Sequence, residues 1–577
     1  MGAPLARAQT PPPVDAGSLL QQQQNQPARA TFPPASGDAV VPPTDPTPAP
    51  PPAPAKAEVS SAVVVVTSFK LTGAISVFTP ERLHAALAGY LNRPLSLADL
   101  QAAARSLTEL YQKGGYFLAR VYLPKQDVTE GIVTLVVSEG RVDSDQGIRI
   151  EGQGLRLKPS VVKGVLGRAA PSNQPLKRAD LERGLLLLND LPGIGASANL
   201  EPGLTPGTTR IVADVKEASL FNGFALLDNY GSRYTGANRA SAGFNFNDPL
   251  GYGEQLTVQA TQSQRSAGAN YTYGRVGYSQ PVGTAGARAG VAYSSMAYSV
   301  GEELANLRAE GTAQTWTGNA RYPLIRSRER SLYATAAYDR KTLYNEAAGA
   351  ATSDKLVDLA TTGLDLEQSD ALAGGGYTYA GLSFSAGQLD LGRNAASLSS
   401  DQGTGGAHTQ GSFQKINWHA ARLQRATEKL SFALLTTGQF ASSNLDSAER
   451  FQLGGPSGVR AYPTGEAAGD EGVRATLEAR YFVGSFGAWG DVNVQAFYDW
   501  GRVRQFKDAD GQTLTTPNDY TLSGFGLGVT LSKSARYEAR LQWAQKIGDN
   551  PAANTQGNDS DGTRHRSRVW VSLTTFF

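Results

Sequence analysis

The run GVRATLEARYFV, residues 472–483, places Val473, Ala475, Leu477, Ala479, Tyr481 and Val483 on one face. Arg474, Thr476, Glu478 and Arg480 fall on the other. A period of two is that of a β-strand. The polar face is the constraint: a dry sandwich core would have to pair every one of those charges, whereas a water-filled lumen holds them at little cost. DVNVQAFYDWG repeats the pattern, with Val492, Val494, Ala496, Tyr498 and Trp500 opposing Asn493, Gln495, Phe497, Asp499 and Gly501. ARYEARLQWAQ does so again, Tyr537, Ala539, Leu541 and Trp543 against Glu538, Arg540 and Gln542. Each run is about ten residues, the length a tilted strand needs to cross a bilayer. Apolar outside, polar inside and aromatics near strand ends are the marks of a transmembrane barrel. The pattern holds from about residue 220 onward. Residues 218–577, at roughly 22 per strand and connection, predict an all-β barrel of about 16 antiparallel strands. A large soluble sandwich or propeller is the alternative, but no repeat of blade length is visible.

Composition narrows the chemistry. In 577 residues, 53 Lys and Arg face 51 Asp and Glu, so no field favours nucleic acid as a partner. With no cysteine, and with four unclustered histidines (His84, His408, His419, His565), thiolate and zinc chemistry have no ligands; no cofactor and no metal are expected. Gly at 64 and Tyr at 23, beside Met at 2, suit strands and tight turns. No apolar run reaches the 18 residues of a membrane helix, and a barrel needs none.

Ahead of the barrel the chain changes character several times. Residues 1–13 read as a signal remnant or an artificial start, with Ala6-Arg7-Ala8 resembling a cleavage region but no apolar core before it. Residues 14–27 hold a short helix candidate, DAGSLLQQQQNQ, with Asp15 as cap and Leu19–Leu20 as its apolar spot; alone in water it is marginal. Residues 28–58 are a Pro-rich, extended linker. Residues 59–142 and 143–217 read as two α+β units of the same order, strand–helix–helix–strand–strand. In the first, a strand region runs from Val59 to Thr72, and Thr79-Pro80-Glu81 starts a helix. Ser96 and Asp99 resemble a capping box for a second, with Leu97, Leu100, Ala104, Leu107 and Tyr111 on one face and Gly114–Gly115 ending it. In the second unit, helices are expected near Pro159–Gly167 and Leu176–Leu191.

One loop stands out. ERFQLGGPSGVRAYPTGEAAGDEG, residues 449–472, is long, Gly-rich and of mixed charge, as any surface loop is. Yet Val459-Arg460-Ala461-Tyr462 gathers an apolar residue, a cation and an aromatic in a tight knot. Folded back into a lumen, such a loop would dock by its arginine on an inward carboxylate. Asp499 points inward by the alternation above, and an Arg–carboxylate pair in a partly dry lumen is directional.

With these residues in hand, the chain resembles the TpsB family, the outer-membrane half of two-partner secretion systems, in the group that includes FhaC, ShlB and CdiB. LPKQDVTEGIVTLVVSEGRV resembles the end of that family's first POTRA domain. QLGGPSGVRAY followed by GDEG resembles its V-R-G-[YF] loop, and QAFYDWG its F-x-D strand motif. Ala461 stands where the family has glycine, which puts the turn at the loop tip in question if that turn needs φ > 0. The resemblance implies that Arg460, flanked by Val459 and Tyr462, pairs with Asp499 on the barrel wall, supported by Phe497 in the segment ending at Gly501. It implies that the helix carrying Leu19 and Leu20 plugs the pore at rest. Two periplasmic POTRA domains would bind an unfolded exoprotein, an adhesin, haemolysin or contact-dependent toxin, which leaves through a Gram-negative outer-membrane barrel. No enzymatic activity is implied. A related BamA-like assembly factor is the alternative; it usually carries more POTRA domains.

The last strand, VWVSLTTFF, places Val569, Val571, Leu573, Thr575 and Phe577 on one face. It resembles the terminal signal by which the barrel assembly machinery recognises clients destined for outer-membrane lipid. A diffusion porin would not need the paired units, and no catalytic motif is found in the soluble part.

Overall fold

The computed structural model describes residues 14–24 and 63–577, except 129, 153, 513 and 515. The signal-remnant and linker assignments therefore lie outside the described residues, as do residues 25–27 of the helix candidate and 59–62 of the first strand region.

Helix α1 (Ala16–Gln24) is separated in sequence from the rest and lies inside the barrel. The first α+β unit follows. Its sheet centres on Ile132–Ser138, paired in parallel with Ser68–Gly73 and antiparallel with Arg120–Tyr122. Helices α2 (Pro80–Leu87) and α3 (Leu97–Lys113) cover one face. α2 starts at Pro80, whose fixed φ suits the first helical position. α3 starts with a complete capping box, Ser96 and Asp99 each satisfying the other's backbone N–H. The buried stripe of α3 is Leu100, Ala103, Ala104, Leu107 and Tyr111. Leu97 is exposed, contrary to expectation: it sits in the first turn at the stripe's edge, and Ala103 takes its place in the core.

The second unit repeats the order. Thr208–Glu217 is central, parallel to Ile148–Glu151 and antiparallel to Ile194–Pro202, with α4 (Pro159–Ala169) and α5 (Arg178–Asn189) packed on it. α5 is shorter at both ends than the predicted 176–191. The second sheet also starts earlier than residue 143, because Arg141–Val142 pairs with Thr208–Thr209. This unit sits against the turns of the barrel. Arg326 grips Asp190 with two bonds of 2.7 and 2.9 Å, and Arg183 donates to the Pro323 carbonyl at 2.7 Å.

Sixteen antiparallel strands close into a barrel between Phe221 and Phe576. Most exceed the ten residues expected of a crossing. The sixth (Ala309–Arg326), seventh (Arg330–Ala347) and eighth (Ala350–Asp370) have 18, 18 and 21 residues and project beyond a bilayer's thickness. The predicted alternation is realised. On the twelfth strand (Glu471–Ser485) Leu477, Tyr481 and Val483 are exposed outward, while Glu478 is buried inward. The first strand (Phe221–Asp228) meets the sixteenth (Ser567–Phe576) over only five residue pairs, Phe224–Phe576 to Asp228–Ser572. Backbone bonds between Gly223 and Phe577 extend that seam.

Candidate functional site inside the barrel

The chain between the eleventh strand (Leu430–Ala441) and the twelfth folds back into the lumen. A two-residue ladder, Phe451–Gln452 with Ala468–Gly469, makes its neck. At its tip Val459, Arg460, Ala461 and Tyr462 are all buried. The Arg460 guanidinium donates to both oxygens of Asp499, from Nε at 2.8 Å and Nη2 at 2.7 Å, and its own backbone N–H adds a bond of 3.1 Å. Nη1 reaches Glu478 at 2.8 Å. The plane lies 3.3 Å over the ring of Phe497, so one aromatic face and two carboxylates surround a single cation. Asp499 also accepts from Thr476 at 2.8 Å, and Glu478 from Arg480 at 2.6 and 2.8 Å. Through these contacts each carboxylate of the cluster is paired with at least one guanidinium, which makes its burial tolerable.

Glycines seat the tip. A Cβ at Gly501 would strike Leu453 of the loop, one at Gly524 the Cβ of Ala461, and one at Gly526 the ring of Phe497. The strands can thus receive the loop only because those positions are bare. Ala461 is not among the residues with positive φ. Alanine fits because the turn there stays in the ordinary region, with Gly524 making room for its methyl group. The tip also straddles the seam: Trp570 of the sixteenth strand donates to the Arg460 carbonyl at 2.8 Å, and Thr464 donates to the carbonyl of Tyr230, just beyond the first strand, at 3.0 Å.

The loop's stem, residues 442–450, is held on the opposite wall by reversed charges. Glu449 pairs with Lys341 of the seventh strand at 2.6 Å and with Lys415 of the tenth (Gly411–Arg425) at 2.7 Å. Asp446 pairs with Lys355 of the eighth at 2.7 Å. Lys355 is also 3.7 Å from Asp15, the residue that caps α1. Further bonds tie α1 to the stem and wall: Ser447 to the Asp15 carboxylate at 2.7 Å, and the Ala16 N–H to Asn345 at 2.8 Å. Leu19 and Leu20 enter a luminal cluster with Tyr271, Tyr298, Leu343 and Leu445. A helix too short to persist in water is here held by cap, ion pair and burial together.

Val571, Leu573 and Phe577 of the terminal segment are exposed on the outer wall, beside Thr575. The Phe577 ring lies 5.4 Å from that of Phe244 on the second strand (Arg239–Asn247).

Residues 207–531, over half the chain, match the sequence profile of the haemolysin secretion/activation proteins ShlB/FhaC/HecB. The chain belongs to this family. Residues 64–140 of the TpsB protein match the ShlB-type POTRA domain. It is 26% identical over 476 residues to the heme/hemopexin transporter protein HuxB of Haemophilus influenzae strain 86-028NP, covering 82% of each chain. It is 26% identical over 477 residues to the hemolysin transporter protein ShlB of Serratia marcescens, covering 81% of this chain and 79% of that one. In fold it is similar to CdiB from Escherichia coli, with a TM-score of 0.71 at 20% identity over 91% and 92% of the two chains. BamA from Haemophilus ducreyi is a more distant neighbour, with a TM-score of 0.50 at 13% identity. As a two-partner secretion transporter the protein resides in the outer membrane, with its POTRA domains in the periplasm, and exports an exoprotein through its barrel. The family is one of transporters rather than enzymes.

In this TpsB chain the structure brings Val459, Arg460, Tyr462, Phe497, Asp499 and Gly501 into one cluster. Leu19 and Leu20 lie elsewhere, and Val571, Leu573, Thr575 and Phe577 of the terminal segment face outward, away from the cluster. Sequence reasoning missed Glu478 and Trp570 at the tip and all five charges of the stem. Glu478 was legible as inward-facing. So were Lys341, Lys355 and Lys415, each an inward lysine that needed a counter-charge.

Proposed function

We propose that Arg460, clasped by Asp499 and Glu478, fixes the resting position of the in-folded loop, and that α1 is the plug of the resting pore. The observation that carries this reading is that helix and loop are one assembly, joined through Asp15, Ser447 and Lys355. Export then requires α1 to leave and the loop to yield. The POTRA domains take the unfolded client by adding its extended segments to an open sheet edge, through main-chain bonds that read geometry more than side chains. The exported partner is of the adhesin, haemolysin or contact-dependent toxin class. The outward face of Val571, Leu573, Thr575 and Phe577 serves as the assembly-machinery signal and then meets lipid. The test is deletion of residues 14–27, measured in planar bilayers. Single-channel conductance should rise while the barrel keeps its heat-modifiable migration; unchanged conductance overturns the plug.

A further inference from the structure

The aromatic girdles of membrane barrels face outward, at the lipid interface, while their interiors are polar. This barrel also carries rings that face inward. Tyr333 lies on the same face of the seventh strand as the inward Lys341, and Tyr377 and Tyr379 of the ninth (Gly376–Asp390) share the face of Leu389, buried in the lumen. His419 shares the face of Lys415, and Phe482 that of Glu478. Phe224 shares the face of the buried Asp228. Most lie near one end. Tyr333 is three residues from the turn at which Arg326 grips the second POTRA domain, Phe224, Tyr377, Tyr379 and Phe482 are within three residues of strand ends on that same, periplasmic rim, and His419 lies deeper, six residues from the end of its strand.

The rings are arranged, not merely present. His419 stacks on Tyr379 with centroids 4.6 Å apart and planes at 27°. The stack is possible because Gly381 is bare: a Cβ there would strike both His419 and Asp365. Arg321 lies 3.4 Å over the ring of Tyr333. Asp365 and Glu367 stand between these rings, opposite Tyr333 and Tyr379 in the strand register. Tyr377, Tyr379, Phe482 and Phe224 remain partly exposed in a channel that α1 fills only farther along.

We propose that these side chains form an aromatic collar at the periplasmic mouth, a contact surface for the extended polypeptide on its way from POTRA domain to pore. The chemistry fits such a partner. An extended chain offers alternating side chains of any identity, and ring faces accept aliphatic, aromatic and cationic groups alike. The neighbouring charges are mixed, Glu367 pairing with Arg321 at 3.5 Å and Asp365 lying 3.8 Å from His419, so the surface selects no one charge in the passing chain. The collar lies below α1, so it is reachable in the resting protein. The proposal rests on export through the barrel and names where the passing chain is held.

The experiment uses the full-length chain with photoreactive benzoylphenylalanine in place of Phe482, and reduced, alkylated α-lactalbumin as the unfolded probe. Irradiation should yield an adduct at position 482. Tyr377→Ala with Tyr379→Ala should cut that yield about tenfold, the product of two contacts of aromatic-pair strength, while Tyr377→Phe with Tyr379→Phe preserves it. An undiminished yield in the alanine pair, or an equal loss in the phenylalanine pair, overturns the collar. Should the alanine pair fail to insert, Tyr379→Ala alone, expected at about a threefold loss, decides by the same criterion. A second photoreactive site replaces Lys70 on the edge strand of the first POTRA domain. An adduct there with none at 482 sinks the collar and leaves POTRA recognition standing; no adduct at either sinks both.

Discussion

The in-folded loop is held at two places by mirror-image chemistry. At its tip the loop brings the cation, Arg460, and the wall brings the carboxylates Asp499 and Glu478. At its stem the loop brings carboxylates, Asp446 and Glu449, and the wall brings three lysines. Both clusters are buried, so in both the desolvation cost is offset only while partners stay in place. The geometries differ. A guanidinium engages a carboxylate through a planar fork, and Arg460 adds a ring contact beneath it, so the tip accepts one orientation. Ammonium groups are compact point charges on flexible arms, so the stem can shift while its pairs persist. The tip is therefore suited to defining a position and the stem to tethering the loop through a movement. α1 is tied to the tether: Asp15 shares Lys355 with Asp446.

The largest effect is expected from breaking the tip. Arg460→Ala strands Asp499 in a buried cluster and leaves Glu478 with Arg480 alone, at a cost of about 3–5 kcal/mol for a broken buried pair. Secretion of the partner protein should fall at least tenfold, while barrel insertion, followed by heat-modifiable migration, stays normal. Arg460→Lys should rescue little, because an ammonium cannot reproduce the fork. Wild-type secretion by the alanine variant would leave the pair without a role in export.

A smaller effect is expected at the stem. Glu449→Gln leaves Lys341 and Lys415 without their counter-charge but spares the tip, so the loop remains in the lumen with a looser base. Secretion should drop a few-fold, and brief openings in planar bilayers should become more frequent as the seat of α1 loosens. The double variant with Arg460→Ala sharpens the comparison. If tip and stem act separately, their free-energy effects on unfolding add to within about 0.5 kcal/mol. A coupling of 1 kcal/mol or more would mean that the loop moves as one rigid body, and the division into lock and tether would be wrong.

How far the sequence reached differs between these same regions. Alternation along single strands is a local property, so it told which side chains face inward, Asp499 and Glu478 included. The choice of carboxylates that meet Arg460 depends on register between strands. Thr476 stands beside Asp499, and Glu478 beside Phe497. Nothing in one strand's period encodes that offset. The stem was hidden for another reason: SAER reads as ordinary loop, and its lysines lie 34 to 108 residues away in sequence. The start of α3 was legible because its capping box is written within four residues, and those of α2 and α4 because proline marks the first helical position; Leu97 was misplaced because a stripe's edge depends on what the first turn packs against. Ala461 was a concern only while its φ was unknown.

The smallest effect is expected where neither end of the loop is touched. Asp143, at the start of the second POTRA domain, accepts backbone N–H bonds from Asp145 at 3.0 Å, Gln146 at 3.2 Å and Thr205 at 3.2 Å, and the Thr208 hydroxyl at 2.9 Å. These donors, the N–H of Asp145 foremost, hold its carboxyl well below the usual aspartate range. A carboxylate whose folded pKa is depressed stabilises the fold above its unfolded value, about pH 3.9, and that contribution is lost as pH falls toward the folded value. Asp143→Asn keeps the shape but removes the charge and turns one acceptor oxygen into a donor. At neutral pH the POTRA thermal transition of the full-length protein should drop by a few degrees, while channel conductance stays that of the wild type. On acidification below about pH 4 the wild type should lose stability more steeply than the variant, so the two melting curves converge. Parallel curves across that range would show that Asp143 contributes no charge-dependent stability. A changed conductance would show instead that this junction reaches the loop, and the contrast between tip and stem would then need a third, periplasmic member.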